Sequence, residues 1–517
     1  MPNFKPDNYN QDFLIALNFL EQIEADPFAM AIHLLVDRMD MSRYFQSYKN
    51  DNGGRPAYSP ALLLKIILYS YTKGIRTSRD IEWHCKHNII IRSLACDRAP
   101  HYTTIAHFIS SHPEGVKDVF EHILLCCEEE GLLGHELIAI DGCKISSNAA
   151  KEHSGTLKEL EAKREKIAAY IDRCITEHQS LDGRRVCEKE RKNELEKRMD
   201  RLLKHHDKID HFLKNNGPRK GKGQRNQEVK SNITDNESCK LYGPKGTQQG
   251  YNGVAAVDQQ NQVIVDAESF GEGNENHTLQ PVLETLRERY HRLGISENLY
   301  EDGTVITADT GFYSEANNAY LKRNKIDAYT PDPEFRQRDE RFDGQHAKYG
   351  SKNRVKVKKH PTRYPASAFK FDAKQKTCVC PAGKELLLYR ELHMEVGKYR
   401  FGFEGRLTDC RHCALKNNCL RNPASPNTRK GKGRQVTFIH RTAACPTEWM
   451  KARVDSKEGK RRYGQRMATV EPVFGNITVR KGLDYFTLRG KTKVDIQWKL
   501  YCTVHNVEKL VRYGNIV

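Results

Sequence analysis

At 517 residues, with 38% hydrophobic and 29% charged residues, the chain is long enough for several domains of the usual ~150 residues and has the composition of a soluble globular protein. No apolar run approaches the ~20 residues that cross a bilayer, and the opening MPNFKPDNYNQ lacks the basic region and apolar core of a secretion signal. A membrane partner is thereby excluded and the cytoplasm is the expected compartment, while 85 Lys+Arg against 67 Asp+Glu leave a charge of +18 that predicts nucleic acid as the polyanionic partner.

Residues 1–135 read as an all-helical domain. Ser59-Pro60 opens one helix that Gly74 ends, Thr77 or Ser78 caps the next, and Thr103 or Thr104 opens a short third. Such a group suits either a helix-turn-helix DNA reader or a plain packing domain. LIAIDGCKISSNAA follows: four apolar residues run into Asp141 and Gly142, the pattern of a buried strand that delivers an acid at its end.

Residues 154–216 shift to charged helix formers. Leu157, Leu160, Ile167, Ile171 and Ile175 form one stripe, and Leu195, Met199, Leu202, Ile209 and Leu213 a second, with a turn at Leu181-Asp182-Gly183. This predicts an antiparallel hairpin inserted after the first strand, either a spacer or a contact surface for nucleic acid or a partner. Residues 217–229 are a basic loop, whose affinity for phosphate would be nonspecific. Two strands around Gln259–Asn261, a helix, the strand of VITADTGFYS carrying Asp309, a second helix and a last strand complete an order β-β-β-α-β-α-β. That order predicts an α/β mixed sheet flanked by helices, with its core in residues 136–153 and 230–334.

Ten of the 15 cysteines are scattered and read as small core hydrophobes. The others sit in a basic, Cys-rich insertion spanning 335–445: Cys378 and Cys380 in TCVCPAGKEL, and Cys410, Cys413 and Cys419 in DCRHCALKNNCLR. A CxC and a CxxC about thirty residues apart have the form of a structural zinc site, with Cys419 or His412 as alternates; reduced, partly exposed thiols are the other reading. Residues 446–517 return to helix. Tyr463, Arg466 and Glu471 fall at helical spacing ahead of Pro472, and the closing VDIQWKLYCTVHNVEKLV reads as an amphipathic helix.

Three acids in this order, with AIDGCKISSNAA, ITADTGFYS and YGQRMATVEPVFGNI around them, resemble the DDE transposases of bacterial insertion sequences. The last motif is similar to that family's Y-x2-R-x3-E-x6-K signature. Here four residues separate Arg466 from Glu471, and Thr478 holds the Lys position, with Arg480 and Lys481 just beyond. The resemblance implies a ribonuclease H-like catalytic domain. It also implies two Mg²⁺ or Mn²⁺ ions on Asp141, Asp309 and Glu471, and DNA contacts by Tyr463, Arg466, Arg480 and Lys481. The implied reaction is cleavage at terminal inverted repeats and joining to target DNA by a homo-oligomer in a synaptic complex. A DNA-binding repressor derived from such an enzyme and a structure-specific nuclease of the same fold are the alternatives; a zinc hydrolase is disfavoured by the thiol-rich cluster.

Overall fold

A computed structural model of the chain describes residues 17–46, 48, 56–180, 187–222, 227–243, 246–343, 363–428 and 431–516. These form two compact bodies, one from Met1–Thr307 and Gln465–Val517, the other from Ala308–Gly464. The expected turn at residues 181–183, part of the basic loop (223–226) and the basic stretch 344–362 lie outside the described residues.

The amino-terminal part of the first body includes, besides the short helices Phe19–Glu24, Ser42–Phe45 and Ile89–Leu94, helices α1 (Pro27–Asp37), α2 (Pro60–Thr72), α3 (Ser78–His87), α4 (Tyr102–Ser111) and α5 (Pro113–Glu129). Their starts follow local chemistry. The Asp26 carboxylate accepts from the amides of Phe28 and Ala29, Pro27, Pro60 and Pro113 fill positions whose N–H would be unpaired, and Thr77 accepts from the Asp80 amide. Two expected caps differ: Ser59 makes no side-chain cap, and His101, not a threonine, caps α4. α2 ends at Gly74, whose φ of +74° needs no side chain.

Strand β1 (Leu137–Ser146) pairs antiparallel with β3 (Gly246–Asp258), Asp141 lying opposite Ala255. The other edge of β3 is shared by β2 (Cys239–Gly243) along its first half and β4 (Ile264–Phe270) along its second. β5 (Val305–Ala308) lies on the far side of β1, where the Val305 amide donates to Glu136 at the start of both strands. Between β1 and β2 stand α6 (Leu157–Ser180) and α7 (Cys187–Asn215), packed through Leu160, Ile167, Ile171, Ile209 and Phe212. The stripe of α6 is shorter than its spacing suggested: Ile175 is exposed, and Cys174 takes the buried side. α8 (Leu279–Arg292) packs on β4, with Arg289 buried between the Val265 carbonyl and the carboxylates of Asp266 and Glu121.

In the second body, α9 (Glu315–Arg323) and β6 (Ala328–Tyr329) precede the hairpin of β7 (Lys370–Asp372) and β8 (Thr377–Val379). A three-stranded antiparallel sheet follows, β9 (Leu387–Glu395), β10 (Lys398–Glu404) and β11 (Gln435–Arg441). Phe369, Cys378, Leu386, Phe401, Phe403 and Val436 form the core of this region. α10 (Pro446–Asp455) packs on α9, and α11 (Lys457–Gly475) begins in this body and ends in the first.

The first body closes with α12 (Lys491–Tyr513). The expected amphipathic helix is instead buried on every side from Ile496 to Leu510, against α5, β4, α1, α2 and α4. A helix with so many polar residues survives burial only when each finds a partner. The Asn506 side chain accepts from the Ile264 amide and donates to its carbonyl; the Trp498 indole donates to the Val254 carbonyl. A Cβ at Gly253 would come within 3.0 Å of the Trp498 ring, so this strand residue has no side chain.

His505 donates from Nε2 to the Gln262 carbonyl and accepts at Nδ1 from Asn476. Burial, reinforced by Lys509 and Lys481 against Glu508, pushes it down to about 3 from 6.5. A depressed folded value means that its contribution to stability is complete above 6.5 and is lost as the pH falls from 6.5 towards 3. The unfolding free energy of the wild-type protein should therefore fall with acid more steeply than that of His505→Gln, by up to about 1.4 kcal/mol per pH unit. Denaturant midpoints at several pH values measure this, and equal slopes for both proteins would remove His505 from the account.

Candidate active-site carboxylates

Asp141 was expected at the end of a strand. β1 runs on to Ser146, so the acid sits mid-strand, where the fully buried run Leu137–Ile140 gives way to half-buried positions. One carboxylate oxygen accepts from the Gly142 amide at 2.8 Å, the other from Arg466 Nη1 at 2.6 Å. Arg466 is 8% exposed and Asp141 is partly buried, so this ion pair is screened far less than a surface one. Burial pushes the neighbouring Cys143 thiol up to about 12, with the Asp141 charge as a further cause.

Asp309 directly follows β5, the strand beside β1, and is the residue from which a short 3-10 turn, Thr310–Phe312, departs. Within the second body its carboxylate accepts from the Tyr463 hydroxyl at 3.2 Å, and Phe335 packs edge-on against the Tyr463 ring at 5.4 Å. Tyr463, Arg466 and Glu471 all lie on α11.

Glu471 is exposed and precedes Pro472 inside that helix. A proline there removes the N–H that would bond the Ala468 carbonyl. The Gln262 side-chain amide fills the gap, donating to that carbonyl at 3.0 Å, so the helix continues through the carboxylate position. Thr478, at the signature Lys position, donates its hydroxyl to the Phe474 carbonyl.

Two of the four expected DNA-contacting side chains are placed otherwise. Lys481 is fully buried and ion-paired with Glu508, which takes it out of reach of phosphate. Arg466 is turned inward onto Asp141, so its guanidinium orients a carboxylate instead of meeting solvent. Arg480 is exposed at the rim of an open cavity bordered by Gln262, Asn476, Lys509 and Arg512. A second cavity, about 550 Å³, was not foreseen: Arg219, Lys220, Lys222, Lys230 and Lys240 converge on it from three separate stretches of chain.

The cysteines also sort differently from the CxC and CxxC pairing. Cys378 is wholly buried in the apolar core of the second body, while Cys380, Cys410, Cys413 and Cys419 line one cavity with Tyr364, Pro381, Leu386 and Leu415. Among the described residues no three His, Cys, Asp or Glu side chains gather at the spacing of one shared metal ion. Of the scattered cysteines, Cys96 is exposed and so is no core residue.

Two family models match the chain. One described as a transposase DDE domain covers residues 379–511, and one described as a transposase domain (DUF772) covers residues 17–111. No curated protein matches it. The first match runs without a break from Cys380 through Tyr463, Arg466 and Glu471 to α12, so the Cys-bearing segment and the Glu471 helix belong to one family domain.

Removing the arginine leaves the Asp141 charge without its partner. Arg466→Ala should lower the unfolding free energy by about 1.5–3 kcal/mol, the range for hydrogen bonds to charged groups. In the double variant with Asp141→Asn part of that loss should be recovered. Denaturant titration of the four proteins measures the coupling, and strictly additive losses would mean that the pair contributes nothing.

Proposed function

Since the chain belongs to the DDE transposases of insertion sequences, we propose that it binds the terminal inverted repeats of its own element, cleaves there to free 3′-hydroxyls and joins them to target DNA. On this reading the catalytic domain is ribonuclease H-like, and Asp141, Asp309 and Glu471 are its metal-binding carboxylates. The enzyme works in the cytoplasm as a homo-oligomer, because two transposon ends have to be held together in one synaptic complex. The observation that carries the reading is the division of labour on α11: Tyr463 meets Asp309, Arg466 meets Asp141, and Glu471 follows on the same helix with its carboxylate exposed.

The donor type suits the implied ions, although among the described residues the three carboxylates are not gathered at the spacing of one shared ion. Three carboxylates offer the hard oxygen ligands that Mg²⁺ and Mn²⁺ take, with coordination positions left for water and a phosphate oxygen. Bound by these carboxylates, divalent ions would supply an activated water or 3′-hydroxyl and would offset the charge on the leaving oxygen. The protein's own groups do the rest. Arg466 pairs with one oxygen of Asp141 and fixes its rotamer, and the Gly142 amide holds the second oxygen. Tyr463 orients Asp309 through its hydroxyl, and the edge-on Phe335 ring restrains the Tyr463 side chain.

DNA would be drawn in by the net charge of +18 and held by the lysines and arginine around the 550 Å³ cavity and by exposed Arg480. Contacts of this kind read phosphate, not base sequence, so affinity should fall steeply with salt.

Asp141→Asn, Asp309→Asn and Glu471→Gln should each reduce Mg²⁺-dependent cleavage of DNA carrying the element's ends by at least about 100-fold, the scale on which one preorganised charge-stabilising group acts. Binding to the same DNA should persist. Cleavage at the wild-type rate in any one variant removes that residue from the site; cleavage by the wild-type protein without joining makes it a nuclease.

A further inference from the structure

The turn between β3 and β4 ends in a residue whose backbone and side chain are both committed. Gln262 has a φ of +59°, in the left-handed region that disfavours a side chain and suits glycine. The turn is tied down at several points. Asp258 accepts from the amides of Gly134, His135 and Gln260, the Asn261 side chain donates to the Leu132 carbonyl, and the Gln262 carbonyl accepts from His505 Nε2 at 2.9 Å. A strained conformation so over-determined points to a use for the side chain that glycine could not supply.

That side chain has a single chemically sensible orientation. Lys509 is buried and can only donate, and its Nζ lies 3.0 Å from Gln262 Oε1. The amide nitrogen is thereby left for the Ala468 carbonyl, to which it donates at 3.0 Å. This is the carbonyl that Pro472 deprives of its helix partner and that the proline ring crowds. It stands about one helical turn before Glu471.

The rest of this part of α11 is held by other means: Val470 and Val473 are fully buried, Arg466 pairs with Asp141, and Glu471 itself is exposed. Ala468 is also exposed, so water can satisfy its carbonyl whenever Gln262 does not. The bond to Gln262 therefore adds little to stability. What it sets is the bend of the helix, because a ladder opened to water at a proline kinks at that point.

We propose that Gln262 is a positioning residue for Glu471, its amide standing in for the helix donor that Pro472 lacks and so fixing where the carboxylate is held. Lys509 is the second part of the device, since it fixes the orientation of the amide. The inference rests on Glu471 being a metal-binding carboxylate.

Gln262→Glu keeps the contact with Lys509, now as an ion pair, and loses only the donor to Ala468. In the metal-free protein, amide hydrogen exchange across residues 469–475 should rise about 10-fold with the denaturant midpoint unchanged. On DNA carrying the element's ends, the Mg²⁺ concentration for half-maximal cleavage should rise about 10- to 100-fold, the range for an outer partner of a metal ligand, while DNA affinity holds. Pro472→Ala returns the missing N–H to the helix. In that background the same Gln262→Glu change should alter exchange and the Mg²⁺ requirement by no more than about 2-fold.

Equal effects in both backgrounds would make Gln262 a general support of the turn and overturn the inference. So would an unchanged Mg²⁺ requirement in Gln262→Glu where Glu471→Gln abolishes cleavage. Cleavage at the wild-type rate in Glu471→Gln would instead remove the assignment of Glu471, and this inference with it. Should Pro472→Ala itself be inactive, exchange in the metal-free proteins decides, with the same two outcomes.

Discussion

The first body depends on a helix that has no face to water. From Ile496 to Leu510, α12 is buried, and most of its polar residues are matched: Asn506 to the backbone of Ile264, His505 to Gln262 and Asn476, Trp498 to Val254, Glu508 to Lys481 and Asn476, with the Tyr501 hydroxyl left without a hydrogen bond. Desolvated polar groups left unmatched would cost more than the fold has to spare. The matching therefore fixes the register of α12 against β3 and β4, and β3 is the strand that pairs with β1.

That register carries through to the carboxylates. Gln262, in the turn between β3 and β4, accepts from His505 with its carbonyl and donates from its side chain to the Ala468 carbonyl that Pro472 leaves open. One residue thus links the buried helix to α11, where Arg466 and Glu471 reside. The same logic explains why Lys481, so close to the motif, is structural: its charge neutralises Glu508 inside the core. Arg480, next to it in sequence, is left for solvent.

What could be read in advance follows from how local each signal is. The strand and helix order of the sheet is written in apolar runs and turn residues, and β1, β3, β4, α8, β5, α9 and β6 come in the order those runs imply. The three acids were legible as motifs, since each lies in a short stretch with its own pattern. The partners of those acids were not: Arg466 and Asp141 are 325 residues apart, and neither spacing nor composition encodes a pairing made only in the folded chain. Periodicity likewise misjudged α12, because its polar residues look like a wet face when their acceptors are out of view. The cysteines show a third limit. CxC suggested two ligands, because alternate residues of a strand share a face, but β8 ends at Val379, so Cys378 went to the core while Cys380, at the turn, went to the cavity.

The central claim is that Asp141, Asp309 and Glu471 bind the same divalent ions. Replacing Mg²⁺ by Fe²⁺ in the DNA-bound protein, with ascorbate and peroxide, generates hydroxyl radicals at the metal and cuts the polypeptide next to its ligands. The account predicts three sets of backbone cuts, around residues 141, 309 and 471, suppressed together by excess Mg²⁺. Cuts confined to one of these positions, or a pattern elsewhere in the chain that Mg²⁺ suppresses, would contradict it.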